Sequence, residues 1–87
     1  MKPNNLRKEE VMGILEETCN VLKEQFGGSV PPVDSWPKTR ELADKAYLDI
    51  YTARLVLMKL VDENRARMSE TKVLNSLRWF ITQTAEE

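Results

Sequence analysis

The chain has 87 residues, of which 41% are hydrophobic and 31% are charged, and its net charge is −1. This composition is typical of a folded domain rather than a disordered segment, and the length sets one domain as the upper limit. The near-neutral charge argues against nucleic-acid binding, which needs a basic surface to neutralise phosphates. No apolar run approaches the ~20 residues of a membrane span, so we expect no membrane insertion.

The chain contains one cysteine, Cys19, and no histidine. One cysteine cannot form an internal disulfide, and a zinc site or a Ser–His or Cys–His catalytic pair would need histidine. The sequence therefore predicts no catalytic residue, no metal and no cofactor, so we do not expect an enzyme. Four glutamates interrupt the N-terminal segment, which rules out a signal-peptide pattern there, and a lone thiol suits the reducing cytoplasm.

The first predicted helix covers about residues 6–26, where apolar side chains recur every three or four positions. Gly27 and Gly28 follow it, and paired glycines can adopt the left-handed conformation that ends a helix. The next segment, about residues 27–36, contains adjacent prolines and is predicted to be a loop. We expect its apolar residues, which include Trp36, to cover one end of the helices.

The second predicted helix is long, about residues 37–66, and two apolar stripes run along it. The main stripe, expected to pack in the core, consists of Leu42, Ala46, Ile50, Ala53, Leu57 and Leu60. The second stripe lies beside it and consists of Leu48, Tyr51, Leu55 and Met58. A helix that is apolar over more than half its circumference contacts two neighbours or occupies the middle of a bundle.

The third predicted helix covers about residues 69–84, with Ser69 as its N-cap. Its stripe consists of Val73, Leu74, Leu77, Phe80, Ile81 and Thr84. Trp79 projects ~180° away from that stripe. Trp79 either folds onto another element of its own chain, such as the proline-containing loop, or belongs to an intermolecular surface. We favour the surface, because tryptophan is enriched among interface hot spots.

No glycine or proline lies between Pro37 and the last residue, so the second and third helices could also form one continuous helix. The second stripe would then continue in register. The main stripe favours a break at about residues 66–69, because its phase is roughly opposite to that of the third helix. We therefore predict an all-α fold, a small three-helix antiparallel bundle with a long central helix, forming one helical domain over residues 1–87. The alternative is one helix followed by a long continuous C-terminal helix.

Arg54 lies between the two stripes of the second helix. Its guanidinium could stack on a tyrosine, pair with a carboxylate of a partner, or extend along apolar surface to water. Residues 54–78 carry six basic and three acidic side chains. This local excess favours either an acidic partner surface or an ordinary solvated face.

A domain this short buries little of its surface, and three short helices cannot cover all of these apolar side chains. We therefore predict that the chain binds a protein partner. The partner that we expect is a second copy of the chain, in a homodimer whose two-fold axis lies near the second stripe. The predicted interface consists of Leu48, Tyr51, Arg54, Leu55, Met58 and Trp79. The predicted function is that of a non-catalytic protein–protein interaction module, a small cytoplasmic adaptor, regulator or inhibitor. The alternatives are a self-assembling structural component and a small helical enzyme with an intersubunit pocket.

Overall fold

The computed structural model describes residues 3–72 and 76–82, and within them three α-helices pack against a two-stranded antiparallel sheet. The helices are α1 (Pro3–Gln25), α2 (Thr39–Ala46) and α3 (Ile50–Asp62), and the strands are β1 (Ala66–Met68) and β2 (Trp79–Ile81). A short 3₁₀ turn, Val33–Ser35, lies in the connection between α1 and α2. In this part of the chain no helix combines the length and the hydrophobicity that crossing a membrane requires.

Helix α1 confirms the first predicted helix, and it packs against α2, α3 and β2. Its buried side chains are Val11, Met12, Leu15 and Cys19. Gly27 and Gly28 have φ angles of 70° and 89°, and the Gly28 N–H donates to the carbonyl of Lys23 at 2.8 Å. This is the left-handed helix ending that the glycine pair predicted.

The prediction of one long second helix is wrong, because this segment forms two helices, α2 and α3, with a break between Ala46 and Ile50. Tyr47 adopts the left-handed conformation at the end of α2, and the Asp49 side chain caps the start of α3, so the chain ends one helix and begins another within a few residues. Most of the predicted main stripe is nevertheless buried; its buried members are Leu42, Ala46, Ala53, Leu57 and Leu60. The periodicity therefore identified the core residues correctly while missing the bend between them.

The prediction of a third helix is also wrong. The all-α three-helix bundle and its alternative, a continuous C-terminal helix, are therefore both wrong as well. Residues 79–81 form β2, which pairs with β1 so that Met68 lies opposite Trp79 and Ala66 opposite Ile81. The fold thus combines helices with a small sheet. Residues 73–75 and 83–84 of that predicted helix lie outside the described part of the chain.

Trp79 and Phe80 are fully buried and join the sheet to the helices. The Trp79 indole N–H donates to the Thr39 hydroxyl at the start of α2, with an Nε1–Oγ1 distance of 2.8 Å. The Trp79 backbone N–H donates to the carbonyl of Pro37 at 3.1 Å. Phe80 stacks on Trp36, with ring centroids 5.3 Å apart. The C-terminal strand therefore fixes the position at which α2 begins.

Arg78, which is 5% exposed, attaches the same strand to the proline-containing loop. Its Nη1 donates to the backbone carbonyls of Asp34 and Trp36, at 3.1 and 3.0 Å. The Trp36 indole N–H donates in turn to the carbonyl of Pro31 at 3.0 Å. These hydrogen bonds hold the loop against the core. Trp36 is buried there as expected, whereas the loop residues Val30 and Val33 are 43% and 38% exposed, so that part of the expectation is wrong.

Charged side chains connect α1 to the turn between α3 and β1. Arg65 donates through Nη1 and Nη2 to the two carboxylate oxygens of Glu9, each at 2.8 Å. Lys8 pairs with Glu63 beside them. The hydrogen bonds from Arg65 lower the pKa of the Glu9 carboxyl below its usual value. These contacts orient the turn, although exposed ion pairs add little stability.

Replacing Trp79 by alanine should lower the free energy of unfolding by about 3–5 kcal/mol, because a large buried ring and its hydrogen bond are lost together. Urea denaturation followed by circular dichroism measures this. Tyr51→Ala is the matched control, since Tyr51 is 75% exposed and its loss should change stability by about 0.5 kcal/mol or less. Equally small effects of both substitutions would contradict the buried position of Trp79.

Candidate functional site

The break between α2 and α3 determines which side of α3 faces outward. Asp49 caps α3, accepting hydrogen bonds from the Thr52 backbone N–H at 3.3 Å and from the Thr52 hydroxyl at 2.6 Å. The Thr52 hydroxyl and backbone N–H hold the pKa of the Asp49 carboxyl below its usual value. The cap fixes the start of the helix at Ile50 and so sets the rotation of every later side chain.

One side of α3 is buried and the opposite side is apolar but exposed. Ala53, Leu57 and Leu60 face the core and are at most 1% exposed. At ~100° per residue, Tyr51, Leu55 and Met58 lie on the opposite side, and they are 75%, 66% and 43% exposed. We call these three residues the outer face. Apolar residues grouped at helical spacing on the solvent side are what an interaction surface presents.

Tyr47 adds a further exposed ring where the chain enters α3. It is 92% exposed, and it caps α2 in the left-handed conformation, with φ of 56° and ψ of 42°. This conformation costs a residue with a Cβ atom about 1–2 kcal/mol, and glycine or asparagine adopts it more readily. A bulky aromatic side chain in this position therefore stabilises the fold neither by burial nor by backbone preference.

The structure distributes the six predicted interface residues over three environments. Tyr51, Leu55 and Met58 share the outer face, as the second stripe predicted. Leu48 is half-buried and packs against the core instead. Arg54 is exposed on one flank of α3, where it lines a separate pocket. Trp79 has no exposed surface, so it is not available to a partner in this structure.

Sequence reasoning missed Tyr47 as a candidate, because a continuous helix placed it between the two stripes. The signal that could have found it is the sequence Leu-Asp-Ile-Tyr-Thr at residues 48–52. Aspartate three positions before threonine is a capping pattern. Reading Asp49 as an N-cap would have ended the preceding helix near Tyr47.

A groove of about 650 Å³ lies between α1 and α2, and Tyr47 forms part of its wall. Ile14, Val21 and Leu22 contribute apolar surface to it. Lys45 crosses the groove, donating to the Thr18 hydroxyl at 3.1 Å. Its ammonium nitrogen is also 3.9 Å from a carboxylate oxygen of Glu41. Tyr47 thus lines this groove and also lies just before α3, the helix that carries the outer face.

Cys19 is fully buried in the core. Burial raises the pKa of the Cys19 thiol to about 11, because the thiolate would lose its hydration. Only the thiolate is strongly nucleophilic, so Cys19 has a structural role as an apolar side chain of the core.

Comparison of the chain with protein-family models, with curated proteins and with solved structures finds no match. Function must therefore be inferred from the exposed side chains of this fold.

Replacing Tyr47 by glycine should raise the free energy of unfolding by about 0.5–1 kcal/mol, since the left-handed conformation is relieved and no buried contact is lost. Tyr51→Gly is the matched control, another exposed tyrosine but with helical backbone, and it should lower stability by about 0.5 kcal/mol. Urea denaturation of both variants gives the comparison. A loss of stability in Tyr47→Gly would show that the ring makes a stabilising contact.

Cys19 should react very slowly with a thiol reagent in the native protein. At pH 8 a thiol whose pKa is about 11 is ionised in only about one molecule in a thousand, and the side chain is also inaccessible. The measurement is the rate of reaction with a chromogenic disulfide, with and without denaturant. A native rate close to the denatured rate would place Cys19 on the surface.

Proposed function

We propose that this protein is a non-catalytic protein-binding module, a small adaptor or regulator, and that the outer face of α3 binds a second copy of the chain. The observation that supports this is the exposure of Tyr51, Leu55 and Met58 directly opposite the buried side of the same helix. Full burial of a side chain the size of Leu55 or Met58 at an interface contributes about 1.5–3 kcal/mol to association. Tyrosine adds a hydroxyl that can form a hydrogen bond at the same interface.

The charge at the end of α3 favours a second copy as the occupant. Asp62 is the last residue of α3 and lies ~20° from the middle of the outer face. A carboxylate there is opposed by the negative end of its own helix dipole. Within the described residues, Asp62 forms no ion pair.

Antiparallel pairing of two α3 helices would offset this unfavourable interaction with a favourable one. Asp62 of each copy would approach the positive N-terminal end of the other helix, where the Tyr51 hydroxyl can donate to it. Leu55 and Met58 would lie near the two-fold axis. A two-fold interface requires such a self-complementary surface.

The small size of the surface favours a weak, reversible dimer over a permanent one. A standard interface buries about 800 Å² on each partner, which is about a seventh of this chain's accessible surface of 5685 Å². The outer face alone is smaller, since α3 is only ~20 Å long, and Tyr47 would have to contribute as well. We therefore expect a dimer with a dissociation constant in roughly the micromolar range.

A cytoplasmic location is part of this proposal. The chain's one cysteine is a free thiol, and free thiols persist in reducing compartments. The absence of histidine from the sequence supports a binding role over acid–base catalysis.

Light scattering coupled to size-exclusion chromatography tests the proposal over concentrations from roughly 10 µM to 1 mM. The wild type should shift from the 10.1 kDa monomer towards twice that mass as concentration rises. Leu55→Asp and Leu55→Lys should both remain monomeric, because a desolvated charge of either sign opposes apolar association. Both should keep the wild-type circular dichroism spectrum, since Leu55 makes little contact with the core.

Val30→Asp is the matched control, because Val30 is an exposed aliphatic residue of the loop between α1 and α2 and not part of the outer face. It should dimerise as the wild type does. A wild-type monomer at the highest concentration would contradict self-association. Binding of a different protein that Leu55→Asp abolishes would then assign the outer face to that partner.

A further inference from the structure

A second pocket, of about 270 Å³, lies on the flank of α3 beside the outer face. The starts of two helices border it, since Thr39 and Arg40 are the first residues of α2 and Ile50 is the first residue of α3. The chain leading into β2 completes the wall through Lys72 and Ser76. The pocket thus exists only because β2 brings this part of the chain against the two helices.

The rim of the pocket is strongly basic. Arg40, Arg54 and Lys72 all line it and are exposed, and none of the described lining residues is acidic. In the described part of the chain, none of these three cations forms an ion pair. Three cations that converge without a carboxylate repel one another, and an anion in the pocket would relieve that repulsion.

The floor of the pocket offers hydrogen-bond donors. Thr39 is 8% exposed, and its hydroxyl oxygen already accepts the indole N–H of Trp79. An anion in the pocket would therefore meet the O–H hydrogen of Thr39. Ser76 is half-buried and supplies a second hydroxyl. The start of α2 borders the pocket through Thr39 and Arg40, and no side chain caps this helix end, so its positive dipole adds to the attraction for an anion.

We propose that this pocket binds a phosphate monoester group. Two guanidinium groups and one ammonium can neutralise a doubly charged anion, and the planar fork of arginine matches the oxygens of phosphate. The volume of 270 Å³ lies just below the ~300–1,000 Å³ of sites that hold drug-sized ligands. It therefore suits a phosphate on a short carrier better than a whole nucleotide.

The site is local, which distinguishes it from a nucleic-acid-binding surface. The whole chain has a net charge of −1, which argues against the strongly basic surface that binding along a phosphate backbone requires. The excess of basic residues over residues 54–78 noted in the sequence has two members in this pocket, Arg54 and Lys72. Arg40, which the sequence gave no reason to connect with them, comes from another helix.

The test is a titration of the isotopically labelled protein with inorganic phosphate, followed by two-dimensional NMR at a constant ionic strength of about 0.15 M. The amide signals of Thr39, Arg40 and Ser76 should shift saturably, and chloride at the same ionic strength should not reproduce the shifts. Arg54→Gln and Lys72→Gln should each weaken the apparent affinity about tenfold. Both cations are exposed, so neither variant should alter the fold.

Two control variants isolate the pocket from the rest of α3. Lys59→Gln removes a cation from the same helix but outside the pocket, and it should bind phosphate as the wild type does. Leu55→Lys abolishes the proposed dimer, leaves every lining residue in place and adds no carboxylate beside Arg54, so it too should retain binding. The experiments can therefore reject the proposed phosphate site without rejecting the proposed dimer, and the reverse.

Two further ligands identify the source of the phosphate. A short peptide containing phosphoserine that binds more tightly than glycerol phosphate would assign the site to a phosphorylated protein. The reverse order would assign it to a small metabolite, and either order supports the proposal. Shifts that chloride reproduces, or an equal loss in Lys59→Gln and Arg54→Gln, would overturn it.

Discussion

The burial of Trp79 and Phe80 is the constraint on which the rest of this fold depends. These two adjacent rings are fully buried, one hydrogen-bonded to the start of α2 and the other stacked on Trp36. Adjacent residues of a helix diverge by ~100°, and those of a strand point to opposite sides. Here the strand lies between the helices and the loop, so both of its sides are covered. The strand, rather than a third long helix, completes the core.

This arrangement explains why the C-terminal region was difficult to predict. Trp79, Phe80 and Ile81 form a short apolar run, and periodicity alone does not separate a buried strand from a buried helix segment. A strand of three residues also obtains its stability from its partner strand, and the residues paired here lie 11 to 15 positions apart, beyond the reach of a local pattern. Single-sequence patterns do not contain that information, because pairing of β1 with β2 depends on the whole fold.

Elements governed by local interactions were predicted better. Helix α1 and its glycine ending follow from neighbouring residues, and both were expected. The outer face of α3 was recognised through Tyr51, Leu55 and Met58, because their spacing does not depend on where the helix begins. Tyr47 and the phosphate pocket were missed, since they require the break at Asp49 and the approach of Lys72 and Ser76 to α2. Contacts between distant segments thus limited the prediction of the site more than that of the core.

The two proposed surfaces occupy different sides of one helix because its third side is covered by the core. The C-terminal strand holds α2 at Thr39, and α2 in turn places Arg40 beside the flank of α3.

The most direct test of this account is a nuclear Overhauser experiment on the backbone of residues 66–82. The Ser69 N–H donates to the Arg78 carbonyl and the Thr82 N–H to the Arg65 carbonyl, so these are hydrogen-bonded pairs of the sheet. The pairs Met68–Trp79 and Ala66–Ile81 alternate with them and are not hydrogen-bonded. Their Cα atoms are therefore the closer ones, about 4.5 Å apart. The account predicts strong contacts between their Hα protons. Contacts between each Hα and the amide three residues later along residues 76–82 would instead show a helix and contradict it.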